Sequence, residues 1–271
     1  MNRKPQQTWR SWAAAGLLAV GMGGGPASAD DQVSETPALV VAGFLKEGRF
    51  EKDGTGHYVD LVRALLAETQ VSTQLVTMPV KRMLKQYEDG EVHCMVPVSF
   101  AAVKMNFPST ERAAIVESVP VDYITAHIVT KPGTPPVTDV AALKGKRLAA
   151  WVGVPLELFL PNLDAKVLRV ESEESGIRLL MSGRVDAIWS WVPDAFILFD
   201  RMGYGTPSLA IDKPLFSSTA HVLCHRSAQS EALIKDIDAG ILAMRADGRL
   251  KEIFGPYVRI VGVDVPVDIG Q

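Results

Sequence analysis

Cysteine is scarce in this 271-residue chain, with Cys94 and Cys224 the only two. That excludes a disulfide-dense scaffold and a four-cysteine zinc site. Aromatic residues make up 7% of the chain and no run of basic residues stands out, so the electrostatic footprint of a nucleic-acid binder is missing. The motifs G-x-S-x-G, S-x-x-K and H-E-x-x-H do not occur, so no common hydrolase nucleophile or metalloprotease helix is present. Beyond the first thirty residues, no apolar run is long enough to span a bilayer.

What those first thirty residues contain is a leader. Arg3, Lys4 and Arg10 precede an apolar stretch at 13–22, and Ala27-Ser28-Ala29 follows as a small-x-small cleavage pattern. Residues 1–29 are therefore expected to be a signal peptide cut after Ala29, with a periplasmic mature chain. Without a cysteine after the core or an Arg-Arg pair, a lipid anchor and twin-arginine export are not expected. Removing three basic residues from 28 leaves 25 against 31 acidic ones, a mature net charge of −6. In the oxidising compartment an exported chain reaches, Cys94 and Cys224 could pair, but both lie in apolar runs where free buried thiols also occur. Composition alone leaves both readings open.

The chain uses one pattern twice. Residues 83–99 (MLKQYEDGEVHCMVPVS) and 179–193 (LLMSGRVDAIWSWVP) each read as the end of an amphipathic helix, a glycine stop, and a short apolar strand. From Leu39 onward strand and helix patterns alternate: strands at 39–44, 73–77, 92–98, 121–131, 146–151, 167–170, 185–189 and 219–224. Helices are expected at 58–68, 80–89, from Ser172, from Pro193 to Gly203, at 228–246 and at 249–254, with a helical turn at 140–143. Such alternation predicts an α/β fold with parallel or mixed sheets covered by helices. The stretch 100–115 carries no clear pattern.

Five segments then resemble one family. Gly56-His57-Tyr58-Val59-Asp60-Leu61 is similar to the G-[FY]-x-x-D-L element of the bacterial extracellular solute-binding proteins, family 3. Thr110-Glu111-Arg112 with Glu117-Ser118-Val119-Pro120 resembles its T-x-E-R…F-S-x-P-Y stretch. The run from Leu143 to Gly153 resembles L-x-G-K-x-V-x-V-x-x-G, and Gly183-Arg184-Val185-Asp186-Ala187-Ile188 resembles G-x-x-D-A-hydrophobic. Residues 246–253 resemble its closing x-x-G-x-[LY]-x-x-I. The resemblance implies a two-lobed periplasmic binding protein fold of type II, each lobe a mixed sheet flanked by helices, joined by two hinge strands. Lobe I would be 38–120 plus 221–271 and lobe II 126–216, with hinges near 121–125 and 217–220. It further implies a monomer that captures a small solute by closure, as an amino-acid-binding-like protein, and delivers it to an ABC permease in the inner membrane.

In amino-acid-binding members the arginine of T-x-E-R clamps the ligand carboxylate, which gives that part to Arg112; a planar guanidinium meets both carboxylate oxygens at once. The acid expected after the G-x-x-D-A strand is replaced by Trp191, and strand ends carry Phe44 and Trp151. Sites in open α/β sheets lie beyond the carboxyl ends of the strands, which nominates Phe44, Ser99, Trp151, Gly153 and Trp191 beside Arg112, with Asp194 as a substitute acid. The expected ligand is a carboxylate or other anion with an apolar or aromatic body. Neither a catalytic residue nor a cofactor is assigned, so binding without catalysis is the expectation. The alternatives are a lyase- or dehydratase-like enzyme using Glu111, Glu157 or Asp194 as a cleft acid, a sensor module, and a metal site from His93, Cys94, His221, Cys224 and His225.

Overall fold

The run LVVAGF has apolar residues on both faces, as a strand sandwiched between helices must, and it forms β1 (Leu39–Phe44) with four of its first five residues buried. In the computed structural model, which describes residues 37–152, 154, 156–256, 258–260, 262 and 264, the chain continues as α1 (His57–Ala67), β2 (Thr73–Met78), α2 (Val80–Glu88) and β3 (Cys94–Val98). Then follow α3 (Phe100–Asn106), β4 (Ile115–Glu117), β5 (Asp122–Val129), β6 (Arg147–Trp151), α4 (Leu156–Phe159) and β7 (Lys166–Val170). The remainder is α5 (Glu173–Met181), β8 (Ala187–Val192), α6 (Asp194–Arg201), β9 (Phe216–His225), α7 (Ala228–Asp247) and α8 (Arg249–Phe254). Helix α3 fills the stretch whose sequence showed no period. It has seven residues and one buried side chain, Val103, so too little apolar face exists to write a pattern.

The strands lie in the order β2-β1-β3-β9-β5-β8-β6-β7, with β4 beside β9. β1 runs parallel to β2 and β3, and β6 runs parallel to β7 and β8. Each triplet is closed by an antiparallel strand from elsewhere in the chain, β9 beside β3 and β5 beside β8. The pattern read twice in the sequence is thus two copies of one β-α-β-α-β unit, with order 2-1-3 in the first and 7-6-8 in the second. Gly90 and Gly183 stop the helices before β3 and β8 at φ 77° and 75°, a left-handed turn that costs a residue with a Cβ about 1 kcal/mol or more.

β5 and β9 connect the units. Residues 122–126 of β5 pair with 216–220 of β9, after which β5 continues along β8 and β9 along β3 and β4. The apolar cores respect this division. Two clusters draw on residues before 122 and after 219 (Val41, Tyr58 and Ile237; Met95, Tyr87 and Leu223), and two on residues 126–216 (Leu148 and Trp189; Ile177 and Phe199). Cys94 and Cys224 face each other across β3 and β9 and form a disulfide. Among the described residues no helix is long and apolar enough to cross a membrane. The signal peptide and its cleavage site lie outside the described residues.

Candidate functional site

The chain leaves β1 through a tight turn. Lys46 and Phe50 bridge across it, with the Lys46 N–H donating to the Phe50 carbonyl at 3.0 Å and the Phe50 N–H to the Lys46 carbonyl at 2.9 Å. Two glycines hold this turn in place. A Cβ on Gly43 would sit 2.3 Å from the Phe50 ring, and one on Gly56 would sit 2.3 Å from the Arg49 carbonyl oxygen; both are impossible contacts, so the turn packs on bare backbone. Its reward is the fixed placement of Lys46, Glu47 and Arg49 at the carboxyl end of β1.

Facing it are the starts of two helices from the second unit. Ser172 caps α5 by accepting from the Ser175 N–H, and Glu173 is the first residue of that helix; Asp194 opens α6. Lys46 Nζ lies 3.0 Å from Glu173 Oε1 and 3.2 Å from Asp194 Oδ2, and Arg49 Nε donates to Asp194 Oδ1 at 2.5 Å. All four side chains are at least 92% buried (8%, 2%, 1% and 5% exposed). Glu47 Oε2 accepts from the Glu173 N–H at 3.2 Å, a carboxylate on the positive end of α5. Outside this core, Arg201 donates to Glu51 at 2.7 Å and also pairs with Glu174.

Burial disfavours every charge in the clasp, and the outcome depends on what opposes it. Burial pushes the Glu173 carboxyl up despite the opposing Lys46 charge. For Asp194 burial is outweighed by Arg49 and Lys46, which hold its carboxyl below the ordinary range. Lys46 is also buried, yet Glu173 and Asp194 raise its pKa and keep it an ammonium. Beneath the clasp, the Arg49 guanidinium lies 5.0 Å over the Tyr58 ring, and the Tyr58 hydroxyl donates to Asp122 Oδ2 at 2.7 Å. Asp122, wholly buried, is pushed up by burial to about 6, with Arg49 and Tyr58 opposing. The clasp therefore reaches the first residue of β5.

Beside the clasp opens a cleft of about 390 Å³, within the size range of small-molecule sites. One bank is Leu45, Lys46, Glu47, Phe50, Glu51 and Lys52; the other is Trp151, Glu171, Ser172, Glu173 and Ser175. Lys46 Nζ stands 5.6 Å over the Trp151 ring. The two parallel triplets thus contribute one bank each.

A sequence profile for the bacterial extracellular solute-binding proteins, family 3, matches residues 46–259, most of the chain. The chain belongs to that family. Among solved structures, the ligand-binding core of GluR0 from Nostoc punctiforme in complex with L-glutamate is 16% identical with a TM-score of 0.61, over 80% of this chain and 97% of that one. The substrate-binding protein of an amino acid ABC transporter is 16% identical with a TM-score of 0.58, over 80% and 97%. An ancestral arginine-binding protein bound to glutamine is 20% identical with a TM-score of 0.57, over 80% and 96%. At these identities the likeness is one of fold, the type II two-lobed periplasmic binding fold. Among curated proteins none matches.

Within this family-3 fold the residues nominated from sequence scatter. Trp151 lines the cleft, and Asp194 sits behind it in the clasp. Phe44 packs against the core on the α2 side of the first unit. Trp191 turns edge-on to Trp189, with centroids 4.6 Å apart, and packs against the second unit's core. Ser99 caps α3 by accepting from the Ala102 N–H. Arg112 is half exposed, paired with Glu117 at 2.8 Å and lying 5.0 Å over the Phe100 ring, and is not among the residues lining the cleft. Gly153 lies outside the described residues. The metal candidates point elsewhere: the cysteines are bonded to each other, His221 and His225 meet the Ser118 and Tyr87 carbonyls, and His93 accepts from the Val40 N–H. No group of three metal-ligating side chains converges among the described residues.

Sequence reasoning missed Lys46, Glu47, Arg49 and Glu173. The one available signal was the position of the run Lys46-Glu47-Gly48-Arg49 just past the carboxyl end of the first strand, where sites in α/β sheets lie; charged residues in a loop are otherwise ordinary. Glu173 stands in the first turn of the helix that Ser172 caps, where an acid is ordinary on dipole grounds, and that masks its second part.

Proposed function

We propose that this protein is a periplasmic solute-binding protein that captures a small molecule between two closing lobes and passes it to an ABC-type importer. The lobes are 38–120 with 221–271, and 126–216, hinged near 121–125 and 217–220. The observation that carries this reading is the cleft whose banks come from the two repeated units, at the carboxyl ends of β1 and β6. Closure works by differential contact: a solute that touches both banks favours the form in which they meet. The cross-cleft ion pairs set how much of that closed form exists before any solute arrives.

The test is a thermal-shift screen against amino acids, organic acids, aromatic acids and amines, since a ligand of the native state raises Tm by mass action. Capture predicts a stabilising solute, recovered chemically unchanged, whose effect is lost in Trp151→Ala. A screen in which no class stabilises the protein would remove the reading. A second reading, proton transfer by an enzyme on the same fold, draws on Glu173, whose buried carboxyl is raised and lines the cleft. It predicts turnover of the bound solute that disappears in Glu173→Gln.

A further inference from the structure

The lining of the cleft is unequal in charge. Glu47, Glu51, Glu171 and Glu173 stand against Lys46 and Lys52. The guanidinium groups that pair with clasp and cleft acids are committed, Arg49 to Asp194 and Arg201 to Glu51 and Glu174. The positive end of α5 is taken by Glu47. A carboxylate entering here meets acids of its own sign and no unengaged guanidinium among the described lining residues.

A cation, in contrast, has a built seat, and the chain shows it in use. The Lys46 ammonium rests between Glu173 and Asp194, at 3.0 and 3.2 Å, under the face of Trp151 at 5.6 Å. Two carboxylates and an aromatic face are the parts that recognise an ammonium or guanidinium. Lys46 reaches the seat on a flexible four-carbon stem and borders the open cleft, so its ammonium can turn to solvent when displaced. Arg49 stays behind to neutralise Asp194.

Building on the capture reading, we propose that the solute carries a cationic head, an ammonium or guanidinium, which replaces the Lys46 ammonium at Glu173 and Trp151. Lys46 is then an intramolecular competitor. A tethered group competes at an effective concentration in the millimolar range, so only a solute with further contacts to Trp151 and Phe50 displaces it. The residue sets a threshold against small inorganic cations.

Calorimetric titration of the protein with n-butylammonium, phenethylammonium and 1,4-diaminobutane, beside butyrate and phenylacetate as matched anions, tests this. The amines are expected to bind and the anions are not. Glu173→Gln should weaken the amines about tenfold, the value of one charge-assisted contact. Lys46→Met should tighten them about tenfold by removing the competitor, a gain that a merely structural lysine would not produce. Should Glu173→Gln fail to fold, Trp151→Leu serves in its place, with a loss of about fivefold. Binding of phenylacetate or butyrate in place of the amines, lost in Arg112→Ala, overturns the cationic head and leaves capture standing. Amine binding unchanged in both Glu173→Gln and Lys46→Met overturns it as well. If neither series binds wild type or Lys46→Met, the cationic head is wrong, and the broad screen decides separately whether capture survives.

Discussion

The two repeated units share a topology and differ in what they place at the end of their first strand. After β1 the chain offers cations, Lys46 and Arg49, on a turn seated against bare glycine backbone. After β6 it offers an indole, Trp151, and the neighbouring helix starts supply acids, Glu173 and Asp194. One architecture thus yields one bank of mixed charge (Lys46 and Lys52 with Glu47 and Glu51) and one that is acidic and aromatic, because strand order depends on apolar pattern while the loops beyond the strands are free to vary. The units differ also in bracing. The first is stapled to β9 by Cys94–Cys224, and the second carries no disulfide.

Removing the staple should unbalance the pair most. The bond closes 130 residues of sequence, for which loop entropy gives about 5 kcal/mol. The Cys94→Ala/Cys224→Ala double variant should lose a large part of that in urea unfolding. Hydrogen exchange should then quicken in β3 and β9 before it quickens in β6 and β8.

Next in size is the clasp. Asp194→Ala leaves Arg49 and Lys46 buried without that counter-charge, a loss of about 3–5 kcal/mol for a broken buried pair. Replacing both sides with apolar groups would cost less, since burying ions is itself unfavourable. Small-angle scattering should show the Asp194→Ala protein more open than wild type; an unchanged profile would mean the clasp does not hold the banks together.

Asp122, under the clasp at the start of β5, makes the comparison pH-dependent. Its folded-state pKa of about 6 lies above the ordinary 3.8, so ionisation is disfavoured in the folded protein. The associated stability is present in full below about 4 and is lost as pH rises through 6, about 3 kcal/mol at most for a shift of about two units. Asp122→Asn should raise stability at pH 7.5 by part of that amount and flatten the stability profile between pH 4 and 6. Carboxyl NMR should place the titration of Asp122 itself near 6.

The smallest effect belongs to the exposed pair Arg112–Glu117. Arg112→Ala should cost under about 1 kcal/mol, as surface pairs do, so a change in solute binding by this variant would be separable from damage to the fold.

How far each element could be read in advance follows its apolar content. Long elements such as α7 and both glycine-stopped helices carry enough buried positions to write a period, and their bounds were legible within a few residues. α3 and α4 bury one side chain each, and so leave no period to read. Of the residues at the cleft and clasp, the sequence nominated two, Asp194 from an acid at a helix start and Trp151 from a bulky ring at a strand end. Trp191 shows the limit of that signal, since an indole at a strand end serves a core as readily as a cleft.

By itself, then, the sequence determined the α/β class, the duplicated unit and the family, because these rest on apolar period, glycine stops and short local motifs. Which charges meet was decided by the tertiary structure alone. Lys46 and Glu173 are 127 residues apart in the chain, and only the crossing of β5 and β9 brings them within 3.0 Å. Coulomb attraction acts through space and leaves no period in the chain.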